Sequence, residues 1–131
     1  MATLTIRMTA RERCDLQKIQ DAIGAIEEME LCKQIVHGTE ESFVLLLVYE
    51  KYFYRVKSYA SLTVLVTHHN GVQTVDIVPS GGGEGFVNFS WGAEERLAKD
   101  CVSALTPLGF TLDPENSDKL PKNFLDWFLH F

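Results

Sequence analysis

The chain has 131 residues, 46% hydrophobic and 23% charged, with 18 Asp and Glu against 12 Lys and Arg for a net charge of −6. A domain of this size buries about two thirds of its unfolded surface and needs no disulfide or metal to fold; its acidity, without a basic run, argues against nucleic acid or anionic lipid as a partner. Cys14, Cys32 and Cys101 form no Cys-x-x-Cys pair and read as reduced thiols in a cytoplasmic protein; the N-terminus lacks a signal-peptide pattern, and no apolar run approaches the length of a membrane span.

Residues 2–9 alternate, with Leu4, Ile6 and Met8 on one face, which predicts a half-buried strand. Thr9 and Glu12 stand at capping-box spacing, with Asp15 as an alternative cap. Leu16, Ile19, Ile23 and Ile26 then recur at helical spacing, and the helix should end near residues 28–31. Gly24 inside it weakens it by about 1 kcal/mol relative to alanine, for which a close contact with the sheet would be one reason. Ile35 and Val36 suggest a short strand, followed by a turn at His37-Gly38-Thr39. Phe43–Val56 is the strongest strand, apolar on both faces at its start, so it is expected to be covered on both sides. Strands follow at 61–67 and 72–78, joined by Asn70-Gly71, whose tolerance of positive φ predicts a type I′ hairpin. After the glycine stretch Ser80-Gly-Gly-Gly-Glu-Gly85, a last strand is expected at Phe86–Ser90. Ser90 would cap a helix carrying the stripe Leu97, Cys101, Ala104, Leu105 and Leu108. Residues 112–119 look like a polar loop, and Pro121 opens a short terminal helix with Phe124, Trp127, Phe128 and Phe131 on one side.

The expected fold is α+β: a two-layer domain with an antiparallel sheet in the order β-α-β-β-β-β-α, plus a short C-terminal helix. Residues 1–131 form one domain, with a core over 1–110 and an extension over 111–131. TATA-binding-protein-like folds share this element order, and helix-grip folds share it with more strands; order alone carries no function.

Several stretches could carry chemistry. A phosphate loop needs Lys-Ser/Thr opening a helix directly after the glycines; here Glu84 sits in the loop and a strand is expected next, so a hinge or a lip beside a pocket fits better. His68 and His69 would point to opposite faces of a strand, so no metal site is expected, and no cofactor. Glu50, beside Tyr49 and followed by Tyr52 and Tyr54 on its own face, is the best candidate acid or base, with Asp76 able to face it; two carboxylates are not a mechanism, and no catalytic residue is assigned. Cys101 on the apolar stripe reads as core.

Val-Tyr-Glu-Lys-Tyr at 48–52, Ala-Ser-Leu-Thr at 60–63, Ser-Gly-Gly-Gly at 80–83 and Phe-x-x-x-x-Trp-Gly-x-Glu at 86–94 resemble a family of small bacterial proteins known only as a domain of unknown function. The resemblance spans about residues 42–108 and leaves the tail from Thr111 outside. It implies a bacterial, cytoplasmic α+β protein and supplies no activity or cofactor. The leading functional expectation is a non-enzymatic module that binds a small apolar or amphipathic ligand between sheet and helices, at Tyr49, Glu50, Tyr52, Gly81, Gly82, Gly83 and Trp91. The alternative is a protein-interaction or homodimerising module whose contact is the terminal helix, through Phe124, Trp127, Phe128 and Phe131.

Overall fold

In the computed structural model, which describes residues 4–54, 57–81, 93–118, 120 and 122–129, the N-terminal alternation becomes β1 (Thr5–Ala10), with Ile6, Met8 and Ala10 buried. The helix α1 (Leu16–Gly24) is capped by Asp15, which accepts from the Gln17 amide at 3.0 Å. Thr9 lies in β1 opposite Thr74, so the Thr9–Glu12 capping box does not form. Four strands follow: β2 (Glu30–Gly38), β3 (Phe43–Phe53), β4 (Ser58–His69) and β5 (Val72–Gly81). Asn70 and Gly71 both take positive φ, 53° and 76°, and His69 pairs with Val72 across that two-residue turn, as its sequence predicts. The chain continues through α2 (Ala93–Leu105), a 3-10 turn (Thr106–Leu108), β6 (Thr111–Asp118) and α3 (Lys122–Leu129).

Among the described residues, six strands join one antiparallel sheet in the order β2-β3-β4-β5-β1-β6. This departs from expectation in two places. Residues 30–38 form a full nine-residue edge strand, every residue of it exposed, where only a short strand at Ile35 and Val36 was expected. Leu112–Asp118, expected as loop, belongs to the opposite edge strand, β6. Neither segment alternates, because an edge held by backbone hydrogen bonds on one side buries little and leaves no apolar pattern. Pro114 is tolerated in β6 because an edge strand needs ladder donors on one side only. The register with β1 shifts between Thr5 and Arg7, and the Arg7 amide donates to Ser117 Oγ at 3.0 Å. The strand expected at Phe86–Ser90 and the Ser90 cap lie outside the described residues.

One apolar cluster joins α1, α2 and one face of the sheet. Ile19 and Ile23 from α1, and Leu97, Cys101 and Leu105 from α2, have no exposure, and neither do Leu47, Leu62, Val64, Val66, Val75 and Ile77 from the strands. Each such aliphatic side chain contributes about 1.5–3 kcal/mol on burial. Phe110 and Phe124, on either side of β6, are equally buried. The other face differs from expectation. Val44 is 39% exposed, and Leu46, Val48, Leu65 and Val78 are half-buried, so among the described residues β3 is covered on one side only.

Polar ties fix β1 against β5, far from it in sequence. Arg7 and Asp76, opposite each other in β1 and β5, form a two-point ion pair at 2.7 and 3.2 Å. Gln73, with no exposure, accepts from the Cys14 amide at 2.7 Å and donates to the Cys14 carbonyl at 3.1 Å, clamping the β1–α1 connection to β5. Gln73→Leu keeps the volume and leaves both Cys14 backbone groups unpaired; it is expected to lower unfolding free energy by about 2–4 kcal/mol, read from the urea midpoint.

Candidate functional site

α1 is only nine residues long, and its last turn ends at Gly24 before the chain reaches β2 through Glu28, a non-glycine residue at positive φ (61°). The helix therefore stops short of the sheet edge. An open groove of about 400 Å³ remains between the end of α1 and the inward side of β2 and β3, bounded by Gln20, Asp21, Gly24, Met29, Leu31 and Tyr49. Leu31 and Tyr49 are paired across β2 and β3 and so share this face. The Tyr49 ring is 1% exposed, and its hydroxyl donates to the Gln20 carbonyl at 3.3 Å, tying α1 to the sheet. Burial pushes the Tyr49 phenol up to about 12, with smaller contributions from Cys101 and Asp21. Asp21 accepts from Gln17 Nε2 at 2.8 Å, which leaves lone pairs on an exposed carboxylate at the rim.

Gly24 has no tight packing against the sheet. A Cβ built there meets no atom within 4 Å, so the expected close contact is absent and the space it faces is open. Of the residues around the groove, Tyr49 belongs to the set predicted from sequence. Gln20, Asp21, Met29 and Leu31 escaped it, because the groove depends on where α1 ends and which strand becomes the edge. The one visible signal was a glycine inside an amphipathic helix.

The other predicted residues separate. A straight strand sends neighbours to opposite faces, so Tyr49 faces the helices while Glu50 and Tyr52 face away. Glu50 lies opposite Ser61 on β4 and Glu30 on β2, and accepts from Cys32 Sγ at 3.4 Å. Asp76 sits two strands away opposite Leu65, bound to Arg7, so it does not face Glu50. Tyr52 makes edge-on contacts with Tyr54 and Tyr59, both at 4.9 Å between ring centroids. Gly81 ends β5, and its amide donates to Glu94 Oε1 at 3.2 Å, linking the strand to the first turn of α2. Gly82, Gly83 and Trp91 lie outside the described residues.

His68 points inward and stacks on Phe43 at 5.3 Å, whereas His69 lies on the opposite face; among the described residues no group of three His, Cys, Asp or Glu could hold a metal. In the tail, Phe124 is fully buried and contacts Trp127 edge-on at 5.2 Å. Lys99 of α2 lies over both rings, at 5.9 and 5.3 Å, and Trp127 and Phe128 pack against the core. The aromatic side of α3 is thus engaged within its own chain; Phe131 lies outside the described residues.

The architecture defines an α+β protein with an antiparallel sheet and a helical layer on one face, and no helix among the described residues is long and apolar enough to cross a membrane. The model of a family of unknown function (DUF6054) matches residues 1–109, and the chain belongs to that family. Neither a curated protein nor a solved structure matches the chain. The match reaches well upstream of residue 42 and takes in β1, α1 and β2, hence every residue named around the groove; β6 and α3 lie beyond it.

Two solution measurements check this geometry. In an absorbance titration of the four tyrosines, Tyr49 is expected to ionise last, and Tyr49→Phe removes that step. Its folded pKa lies above its ordinary value of 10, so its contribution to stability is whole below pH 10 and is lost as the pH rises towards 12. With a thiol reagent at neutral pH, Cys32, which is exposed, is expected to react in the native protein, whereas the buried Cys14 and Cys101 react only on unfolding.

Proposed function

We propose that this chain is a binding module for a small amphipathic ligand held in the groove between the end of α1 and the β2–β3 edge. The observation that carries this reading is Gly24. It is the last residue of α1 and does not take the positive φ that would call for glycine there, no steric contact requires it, and it faces the groove. A side chain there would narrow a site whose volume lies within the range typical of small-molecule sites. Met29 and Leu31 offer an apolar wall, backed by the buried Tyr49 ring, and the Asp21 carboxylate offers an acceptor at its rim. The lining therefore suits an apolar body with a hydrogen-bond-donating head, an amine or alcohol rather than a carboxylate. A second groove, of about 420 Å³ between α1 and α2, sets Ala22, Ile26 and Ala104 among four charged side chains, Glu27, Lys51, Arg96 and Asp100, and so is the more polar of the two. The reading is of a bacterial, cytoplasmic module with its thiols reduced, in which binding rather than bond-making is the task.

Thermal-shift titration with alkyl amines, alkyl alcohols and alkyl carboxylates tests it. Amines or alcohols are expected to stabilise the protein by about 2.7 kcal/mol at a hundredfold excess over Kd, and carboxylates to do so far less. Gly24→Met should abolish that shift without lowering the melting temperature of the free protein. Gly24→Ala, which adds only one methyl at the last position of the helix, should raise the free protein's stability by less than the roughly 1 kcal/mol gained in a helix interior. No shift with any of the three classes counts against the reading, as does a shift that survives Gly24→Met.

A further inference from the structure

We infer that the uncovered face of the sheet is a dimerisation surface that packs on the same face of a second copy of this chain, giving a four-layer helix–sheet–sheet–helix assembly. The face is not uniformly apolar. On the β1 and β5 side it carries Thr5, Thr9 and Thr74 around the Arg7–Asp76 ion pair, as a solvated sheet does. Across β2, β3 and β4 the pairing sets Ile35 beside Leu46 and Leu46 beside Leu65, with Val44 and Val48 on either side of Leu46. Tyr52, Tyr54 and Tyr59 continue the strip past Glu50, and Tyr54 and Tyr59 are 72% and 55% exposed. Among the described residues no element covers it; α1 and α2 pack on the other face.

Size and charge favour a second copy as the occupant. β3 runs for eleven residues; at about 3.3 Å per residue, across three strands about 4.8 Å apart, the footprint is on the order of 500 Å² per partner. Summed over both partners that reaches the roughly 1,000 Å² at which a specific interface becomes credible, the lower end of the range. Two chains of net charge −6 repel each other unless they meet on a neutral surface. The middle of this strip, Val44, Leu46, Val48 and Leu65, carries no charge; Lys33, Glu30 and Glu50 stand at its border with both signs, and Asp76 beyond it is neutralised by Arg7. Twisted antiparallel sheets pack face to face at about 10 Å with interdigitating aliphatic side chains, which a strip of Ile, Val and Leu flanked by tyrosines supplies on both partners. The edge strands argue for face packing over lengthening of the sheet. β6 carries Pro114 and three carboxylates, and β2 carries Lys33 and a register break at Cys32, features that discourage edge pairing.

Sedimentation equilibrium on the full chain tests this. The wild type is expected to have twice the 14.8 kDa chain mass at micromolar concentration. Leu46→Lys and Leu65→Lys each place two charges, one per copy, at the centre of the interface and should weaken dimerisation about a hundredfold or more. Val44→Lys, at a more exposed position, serves the same purpose if a central variant fails to fold as judged by circular dichroism. Val36→Lys, on the edge strand but on the opposite face, should leave the dimer intact. A monomeric wild type at about 100 µM overturns the proposal and leaves the face to a different kind of partner. So does a dimer that survives folded Leu46→Lys or Val44→Lys, or one that Val36→Lys alone dissociates. None of these residues borders the groove near Gly24, so either reading can fail without the other.

Discussion

The structure depends on the two-residue alternation of β3 and its pairing with β4. Phe43, Leu45, Leu47 and Tyr49 point to the helices, and their partners His68, Val66, Val64 and Leu62 lie level with them on the same face. A slip of one residue would place Val44, Leu46 and Val48 against α1 and α2 and expose Tyr49. That choice of face sets everything downstream: where the helices dock, which tyrosine is buried, and which aliphatic strip is left uncovered.

The two polar ties act where the hydrophobic effect is least directional. Burial alone says that β1 must be in the sheet but not which strands flank it. The bidentate Arg7–Asp76 pair and the Gln73 clamp on Cys14 specify the β1–β5 contact geometrically, and β6 follows onto the free edge of β1 with Ser117 holding the Arg7 amide. The groove and the uncovered strip are then two consequences of one layer arrangement. A short α1 leaves the β2 edge open on the inner side, and the helices pack on one face, leaving the other uncovered among the described residues.

Much of the secondary structure was legible because burial writes a period into sequence. Leu4–Ile6–Met8, Leu16–Ile19–Ile23 and Leu97–Cys101–Leu105 each carry the spacing of the face they bury, and Asn70-Gly71 carries the chemistry of its turn. The edges were not legible. β2 and β6 bury almost nothing, so the residues that hold them are backbone groups, which have no signature. The candidate site was legible only in part. Tyr49 and Gly24 stood out, but reading Tyr49 with Glu50 and Tyr52 as one site ignored the alternation that sends neighbours apart. Among the described residues the double cover expected for β3 is missing for a related reason: apolar residues on both faces show that both faces avoid water, not that the same chain covers both.

By itself the sequence determined the element types in the core, the α+β class and the family resemblance, because each rests on contacts local in the chain or on motifs quoted from it; between Thr9 and Asp15 as the cap of α1 it left the choice open. Tertiary structure alone decided the order of strands, the face on which the helices lie, the groove beside Gly24 and the strip centred on Leu46. Those features rest on pairings between residues far apart in the chain, such as Ile6 with Ile77 and Met8 with Leu112, and no periodicity within one segment encodes which distant segment it will meet.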